Sequence, residues 1–227
     1  MNNNEVHQIL NSDNQKYNNN PKLIKILLDY KGKEGHEKIH KDLLKDLINK
    51  YVKLTHELDQ KIEEITRLAE TDQLTKIYNR VKFEKELKKE INRVERYKNK
   101  LSLIMFDIDH FKKVNDNYGH DVGDRVLIEM TNIVNEKIRK TDIFARWGGE
   151  EFMILTPNTS LSFAIKLAER IRENIEQKKI EKVNQITCSF GVTKYKEKDD
   201  FDSFTKRVDD ALYQAKENGR NQVIKKS

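Results

Sequence analysis

The chain has 227 residues, of which 36% are charged and 36% hydrophobic, with 44 Lys and Arg against 38 Asp and Glu and a formal net charge of +6. That length admits one catalytic-sized domain of about 150 residues with an appendage and excludes two full domains. The small, scattered positive excess argues against a nucleic-acid-binding face and suits an anionic small ligand such as a nucleotide, while the single Cys188 excludes an internal disulfide and any CxxC site for zinc or redox chemistry.

The longest clean apolar run, Leu103 to Phe106, is far short of the roughly 20 residues that span a bilayer. The start, Met1-Asn2-Asn3-Asn4-Glu5, lacks the cationic and apolar parts of a signal peptide. A cytoplasmic protein with no membrane span is expected. Residues 1–35 are rich in Asn, so a flexible or short helical segment is expected there. His36-Glu37-Lys38-Ile39-His40 spells HExxH, a spacing that puts two imidazoles on one helix face for zinc. With Gly32 and Gly35 before it, many lysines around it and no third ligand after it, the segment reads as an exposed helix instead.

From about residue 39 to residue 69, Leu44, Leu47, Tyr51, Leu54, Leu58, Ile62, Ile65 and Leu68 recur at steps of three and four among charged residues. This heptad-like seam predicts a helical stalk over 36–70 that pairs with a second copy as a coiled coil; the alternative is an amphipathic helix folded back on its own domain. Residues 71–227 then form the globular domain. Phe83, Leu87, Ile91 and Val94 space out a helix, Leu101 to Phe106 reads as a buried strand followed by a polar loop through Gly119, and Val126 to Ile138 marks another helix. Ile143 to Arg146 and Phe152 to Leu155 flank Gly148-Gly149, which predicts an antiparallel hairpin whose glycines take positive φ. A helix over 161–177, a strand over 186–195 and a helix over 204–218 complete an α+β set, a mixed sheet with helices packed on it.

Two acidic clusters mark strand ends: Asp107-Ile108-Asp109, and Glu150-Glu151 directly after the hairpin glycines. Alternation along a strand lets one carboxylate of each pair face a common cleft. Carboxylates converging without His or Cys make a hard-oxygen site of the kind Mg²⁺ occupies together with substrate phosphates and water; the alternative is surface acids at strand ends. After Asp109, His110-Phe111-Lys112-Lys113 reads as a turn opening a short helix, whose free N–H groups and cation suit phosphate oxygens. Asn115 and Asp124 fall near that loop. An ionised Asp accepts from the adjacent N–H and NH₂ of guanine, which adenine lacks, so the two fit a guanine clamp, while either alone is equally a helix cap or turn former.

Five ordered segments carry a family resemblance. Arg146-Trp147-Gly148-Gly149-Glu150-Glu151-Phe152 resembles the signature of the GGDEF family in its GGEEF version. Asp72-Gln73-Leu74-Thr75 with Asn79-Arg80, Phe106 to Lys112, Asn115 to Asp124, and Ala211-Leu212-Tyr213 with Lys216, Gly219, Arg220 and Asn221 are similar to the family's other motifs, in register over about 70–224. The resemblance implies a mixed five-stranded sheet with an antiparallel hairpin, surrounded by helices in a nucleotide-cyclase or palm-like fold. It implies a diguanylate cyclase, which condenses two GTP into cyclic di-GMP and two pyrophosphates. By that likeness Asp107, Glu150 and the Ile108 carbonyl bind Mg²⁺, with Mn²⁺ as a substitute. Asn115 and Asp124 read guanine, and Phe111, Lys112, Lys216 and Arg220 hold phosphates. Gly148 and Gly149 let the turn approach the nucleotide, Glu150 helps to deprotonate the ribose hydroxyl, and Glu151 assists in a role left open.

Each product bond joins two nucleotides, so a homodimer of facing domains is expected, with room for an upstream sensor acting on the N-terminal segment. Arg139 and Asp142 stand as an RxxD pair six residues before Gly148, counted from Asp142, at the offset of the family's product-inhibition site; Arg can contact guanine N7 and O6 while Asp takes the opposite edge. The alternative there is a charged helix end capped by Asp. The rival functional reading is an inactive GGDEF domain that senses cyclic di-GMP or GTP.

Overall fold

A computed structural model describes residues 37–183 and 185–227, with side chains from residue 45. The Asn-rich segment 1–35 and the side chains of the HExxH motif, His36 and His40 included, lie outside the described residues. The chain divides into two compact units, Met1–Glu63 and Glu64–Ser227.

The first described element, α1 (Glu37–Glu70), is one continuous helix. Its seam is wet: Leu47, Leu54, Leu58, Ile62, Ile65 and Leu68 are each at least half exposed. The turn that follows is tied to the end of this helix. The Asn79 amide donates to the Ala69 carbonyl (2.7 Å) and its Oδ1 caps α2 (Arg80–Tyr97) by accepting from the Lys82 N–H (3.0 Å). Lys82 Nζ also sits 2.8 Å from Glu70. Residues 64–70 therefore belong with the globular unit, although they continue the stalk helix.

The remaining elements are β1 (Leu101–Ile108), α3 (Phe111–Tyr118), α4 (His120–Lys137), β2 (Ile143–Arg146), β3 (Glu151–Pro157), α5 (Leu161–Gln177), β4 (Cys188–Lys194), α6 (Phe201–Glu217) and β5 (Val223–Lys226). They build one five-stranded sheet in the order β2-β3-β1-β4-β5, antiparallel except for the parallel β4–β5 pair. The mixed five-stranded sheet wrapped by helices is thus observed. The polar stretch after β1 is helical as α3, as the turn at His110 opening a short helix suggests, and not a loop as far as Gly119; the fifth strand is Val223–Lys226.

All eight residues of β1 are buried because this central strand is covered on both faces. Its side chains alternate between two cores. Ile104, Phe106 and Ile108 join α4 and α5, with Phe106 stacked on Phe190 (4.8 Å) and Phe152 (5.3 Å); Leu101, Leu103 and Met105 join α2 and α6. Helix α6 lies directly on β4 because Gly191 has no side chain: a Cβ there would stand 2.4 Å from the Val208 carbonyl oxygen and 2.5 Å from the Leu212 nitrogen. A capping box between Asp200 and Ser203 starts this helix. Close seating of α6 fixes where its last turn, with Lys216, meets the end of β1.

Candidate active site

By the parity of β1, Asp107 shares the face of Leu101, Leu103 and Met105, under α6. Its carboxylate is buried there and meets Lys216 Nζ at 2.9 Å. In the β1–β3 register Asp107 is paired with Glu151, and directly opposed residues share a face. The Ile108 N–H donates to the Glu150 carbonyl (3.3 Å), so the hairpin turn and the β1 end run side by side. Burial pushes the Asp107 carboxyl up to about 6; Lys216 opposes the rise and the charges of Glu150 and Glu151 add to it. Burial also raises Glu150, against the pull of Lys216 and with a further push from Glu151. Asp107, Glu150, Glu151 and Lys216 therefore form one electrostatic cluster.

The hairpin turn is pinned from outside the sheet. The Arg146 guanidinium donates to the Gly149 carbonyl through Nε (3.0 Å) and Nη2 (2.7 Å), and through Nη1 to both oxygens of Asp72 (3.2 and 3.3 Å). Asp72 also accepts from the Thr75 N–H (2.8 Å) and hydroxyl (2.7 Å). Trp147 is wedged between the edge of Phe83 (6.0 Å) and the Arg80 guanidinium (4.2 Å). The positive φ expected at Gly148 and Gly149 is not adopted; among the described residues the only positive-φ glycines are Gly119 and Gly219. The turn is four residues long, closed by the Trp147 N–H on the Glu151 carbonyl (2.8 Å), so no left-handed glycine is needed. A Cβ on Gly149 would meet nothing within 4 Å, which leaves that backbone open to a ligand.

Asp109 does not join the cluster. It is buried and accepts from Thr187 Oγ1 (2.7 Å), Ser189 Oγ (2.6 Å) and the Asn221 N–H (3.1 Å). Asn221 is held further by Glu176 (2.7 Å) and Arg172 (3.0 Å). The Arg220–Asn221 bend, with both residues at positive φ, is thereby locked to the end of β1 next to Ile108. Phe111 and Lys112 open α3; the Phe111 ring is buried in the core, which leaves its backbone N–H for ligand, and no side chain caps this helix start. Asn115 is half-buried one turn on, and Asp124 is exposed in the first turns of α4.

Arg139 and Asp142 form a tight turn between α4 and β2, with the Arg139 N–H donating to Asp142 Oδ2 (2.9 Å) and the Asp142 N–H to the Arg139 carbonyl (3.0 Å). Both line a cavity of about 450 Å³ with Tyr78, Ile138, Lys140 and Phe144. Asp142 Oδ1 is buried without a hydrogen-bond partner, and burial pushes this carboxyl up.

In the sequence Arg146, Asp72 and Gly123 carry no separate role, and Asp109 is only one of an acidic pair in which either carboxylate can face the cleft. All four stand inside the quoted motifs, but the pairing of Arg146 with Asp72 across the fold carries no local signal. Among the described residues no group of three or more His, Cys, Asp or Glu side chains gathers to hold a metal ion, and no helix is long and apolar enough to cross a membrane. A pair of carboxylates with an adjacent carbonyl still fits Mg²⁺, which takes one or two carboxylates and fills its shell from phosphates and water.

The fold is a five-stranded mixed sheet wrapped by helices, with acidic residues at the end of its central strand beside a glycine hairpin. Residues 69–222 match the family described as "Diguanylate cyclase, GGDEF domain". Diguanylate cyclase A of Treponema denticola is 46% identical over 138 residues, covering 59% of this chain and 37% of that protein. The coiled coil and GGDEF domain of DgcB from Caulobacter crescentus, solved in complex with c-di-GMP, superimposes with a TM-score of 0.76 at 30% identity, covering 81% of this chain and 99% of that one. The active GGEEF domain of a diguanylate cyclase from Vibrio cholerae does so with a TM-score of 0.63 at 37% identity, covering 65% and 96%. The chain belongs to the GGDEF-domain diguanylate cyclase family. It spans well under half the length of the curated relatives it matches first.

Proposed function

We propose that this chain is a GGEEF-type diguanylate cyclase that joins two GTP molecules into cyclic di-GMP. The observation that carries the reading is the convergence of Asp107, Glu150 and Glu151 with Lys216 where β1 ends beside the hairpin turn. A cluster of that charge, partly desolvated, favours a divalent cation and a polyphosphate over its own company.

Asp107, Glu150 and the Ile108 carbonyl would hold Mg²⁺, or Mn²⁺ in its place. Held there, a divalent ion would neutralise charge that builds up in an in-line phosphoryl displacement. The chain's own groups do the rest. Lys216 and Arg220, with the Phe111 and Lys112 N–H groups at the start of α3, bind the triphosphate; Asn115 and Asp124 orient guanine; Glu150, whose carboxyl burial raises above its ordinary value, takes the ribose 3′-hydroxyl proton. The new bond joins the 3′-oxygen to the α-phosphorus, the bond from that phosphorus to the bridging oxygen breaks, and pyrophosphate carries off the electron pair. Two such events on two GTP close the ring.

One domain holds one nucleotide, so two must face each other, and the exposed seam of α1 suits pairing with a second copy through residues 40–69. An upstream sensor acting on the N-terminal segment would change the frequency of facing. Product would dock at Arg139 and Asp142 in the cavity they line, where an opening of the Arg139–Asp142 turn would give the unpartnered Asp142 Oδ1 a guanine edge to accept from.

The test is incubation of the purified chain with Mg²⁺ and either GTP or ATP, with products separated by chromatography. Cyclic di-GMP from GTP, no cyclic product from ATP, and loss of turnover in Glu150→Gln are expected. Cyclic di-GMP added to the assay slows the wild type and not Arg139→Ala. Nucleotide binding without turnover would leave a sensor instead.

A further inference from the structure

Gly123 lies buried at the end of the first turn of α4, immediately before Asp124. A Cβ built on it would stand 1.9 Å from Asn115 Oδ1 and 3.1 Å from Asn115 Cγ, while the next neighbour, Phe111 Cζ, is 3.3 Å away. The terminal amide of Asn115 thus occupies the space that any other residue at position 123 would fill. Among the described residues no hydrogen bond is made by that amide, so packing alone sets its place. Its carbonyl and NH₂ remain for a ligand, against the α4 residue that precedes Asp124, whose ionised carboxylate only accepts.

From this contact we propose that Gly123 is a positioning residue for guanine: by lacking a side chain it lets Asn115 lie against α4 next to Asp124, bringing two base-reading groups from two helices to one edge. The inference rests on the reading of Asn115 as a guanine contact. A purely helical role would not select glycine here, since alanine is the better helix former in a helix interior. A packing role against the core would involve Phe111, but that contact, at 3.3 Å, is tight and asks the ring to give by only a few tenths of an ångström, whereas the 1.9 Å overlap with Asn115 Oδ1 requires the amide to move. A methyl group at position 123 therefore leaves the helix content intact and drives the half-buried Asn115 amide out toward solvent.

The experiment is a double-mutant cycle on the full chain with Gly123→Ala, Asn115→Ala and the pair combined. It reads calorimetric affinity for GDP, which carries the base and cannot be condensed, together with kcat, KM for GTP and melting temperature. Gly123→Ala and Asn115→Ala are each expected to weaken GDP binding and raise KM by about tenfold, with kcat at saturation within about threefold of wild type. The combined variant is expected to be no worse than Asn115→Ala, because with the amide gone the added methyl displaces nothing. The melting temperature of Gly123→Ala stays level or rises.

Multiplicative losses in the combined variant, unchanged GDP affinity in Gly123→Ala, or a drop in melting temperature that persists in the combined variant would each overturn the proposal. If Asn115→Ala itself binds GDP normally, the guanine reading falls first and this inference with it, an outcome distinct from a Gly123→Ala that is silent beside a damaged Asn115→Ala.

Discussion

Lys216 Nζ lies 2.9 Å from Asp107 Oδ2, joining the last turn of α6 to the end of the central strand. The ammonium opposes the burial-driven rise of both Asp107 and Glu150. Lys216→Met should lower stability by about 1–3 kcal/mol in the absence of divalent ions, since it leaves a buried carboxylate among like charges. Added Mn²⁺ should raise the melting temperature of the variant more than that of wild type. Thermal melts with and without Mn²⁺ check this; equal shifts would mean that the ammonium and the cation do not share a site.

Arg146 is the strut of the hairpin turn, bonded to the Gly149 carbonyl on one side and Asp72 on the other. Truncation to Ala frees the turn that carries Glu150, and kcat should fall by at least about tenfold. Arg146→Lys should recover little, because a single ammonium cannot span both partners. Steady-state kinetics with near-normal melting temperatures would support the strut; unchanged kcat in both variants would refute it.

Asp199 and Arg207 form a paired, buried ion bridge at the start of α6, with Arg207 also donating to Thr193 Oγ1 (2.9 Å) and the Lys194 carbonyl (3.0 Å). Burial pulls the Asp199 carboxyl up, but hydrogen bonds from Arg207 and the Lys196 N–H outweigh it and hold the group below its ordinary 3.8. A depressed acid stabilises the fold at pH above its unfolded value, and that contribution is lost as pH falls through the folded value. Asp199→Asn should therefore cost about 3 kcal/mol at neutral pH, with the difference from wild type shrinking below about pH 4. Urea melts at both pH values measure it; a constant difference would rule out the ion pair as its source.

The exposed stripe of α1 makes a separate prediction. Leu54→Glu with Leu58→Glu places like charges in the seam and should convert a dimer to monomer in sedimentation, with turnover down on the order of a hundredfold as the domains lose their mutual effective concentration. A persistent dimer with full activity would remove the stalk from the account.

Much of this arrangement was legible in the amino-acid sequence. The β1 run, the hairpin about Gly148-Gly149 and the helices with apolar residues at steps of three and four read correctly because each carries its own periodicity. The acidic pairs stood out as strand ends. What could not be read was set by tertiary pairing. Val223 to Lys226 is short and half basic, and becomes a strand only beside β4. Only the opening of α3 at His110 was legible; its extent was not, because it is polar along most of its eight residues and is held through Phe111 and Val114. Asp109 looked equivalent to Asp107, yet the hydroxyls of Thr187 and Ser189 claim it, and those arrive from a strand far along the chain. The glycines of the turn were expected to supply unusual φ, whereas the four-residue loop length already relieves that need.

The most direct test of the central claim is Mn²⁺ binding in the presence of GTP, followed by electron paramagnetic resonance, for wild type, Asp107→Asn and Glu150→Gln. If β1 and the hairpin turn share one cation, wild type binds Mn²⁺ and each substitution weakens it by a comparable factor of at least about tenfold. Wild-type affinity in either variant would contradict the shared site and, with it, the assignment of the turnover machinery.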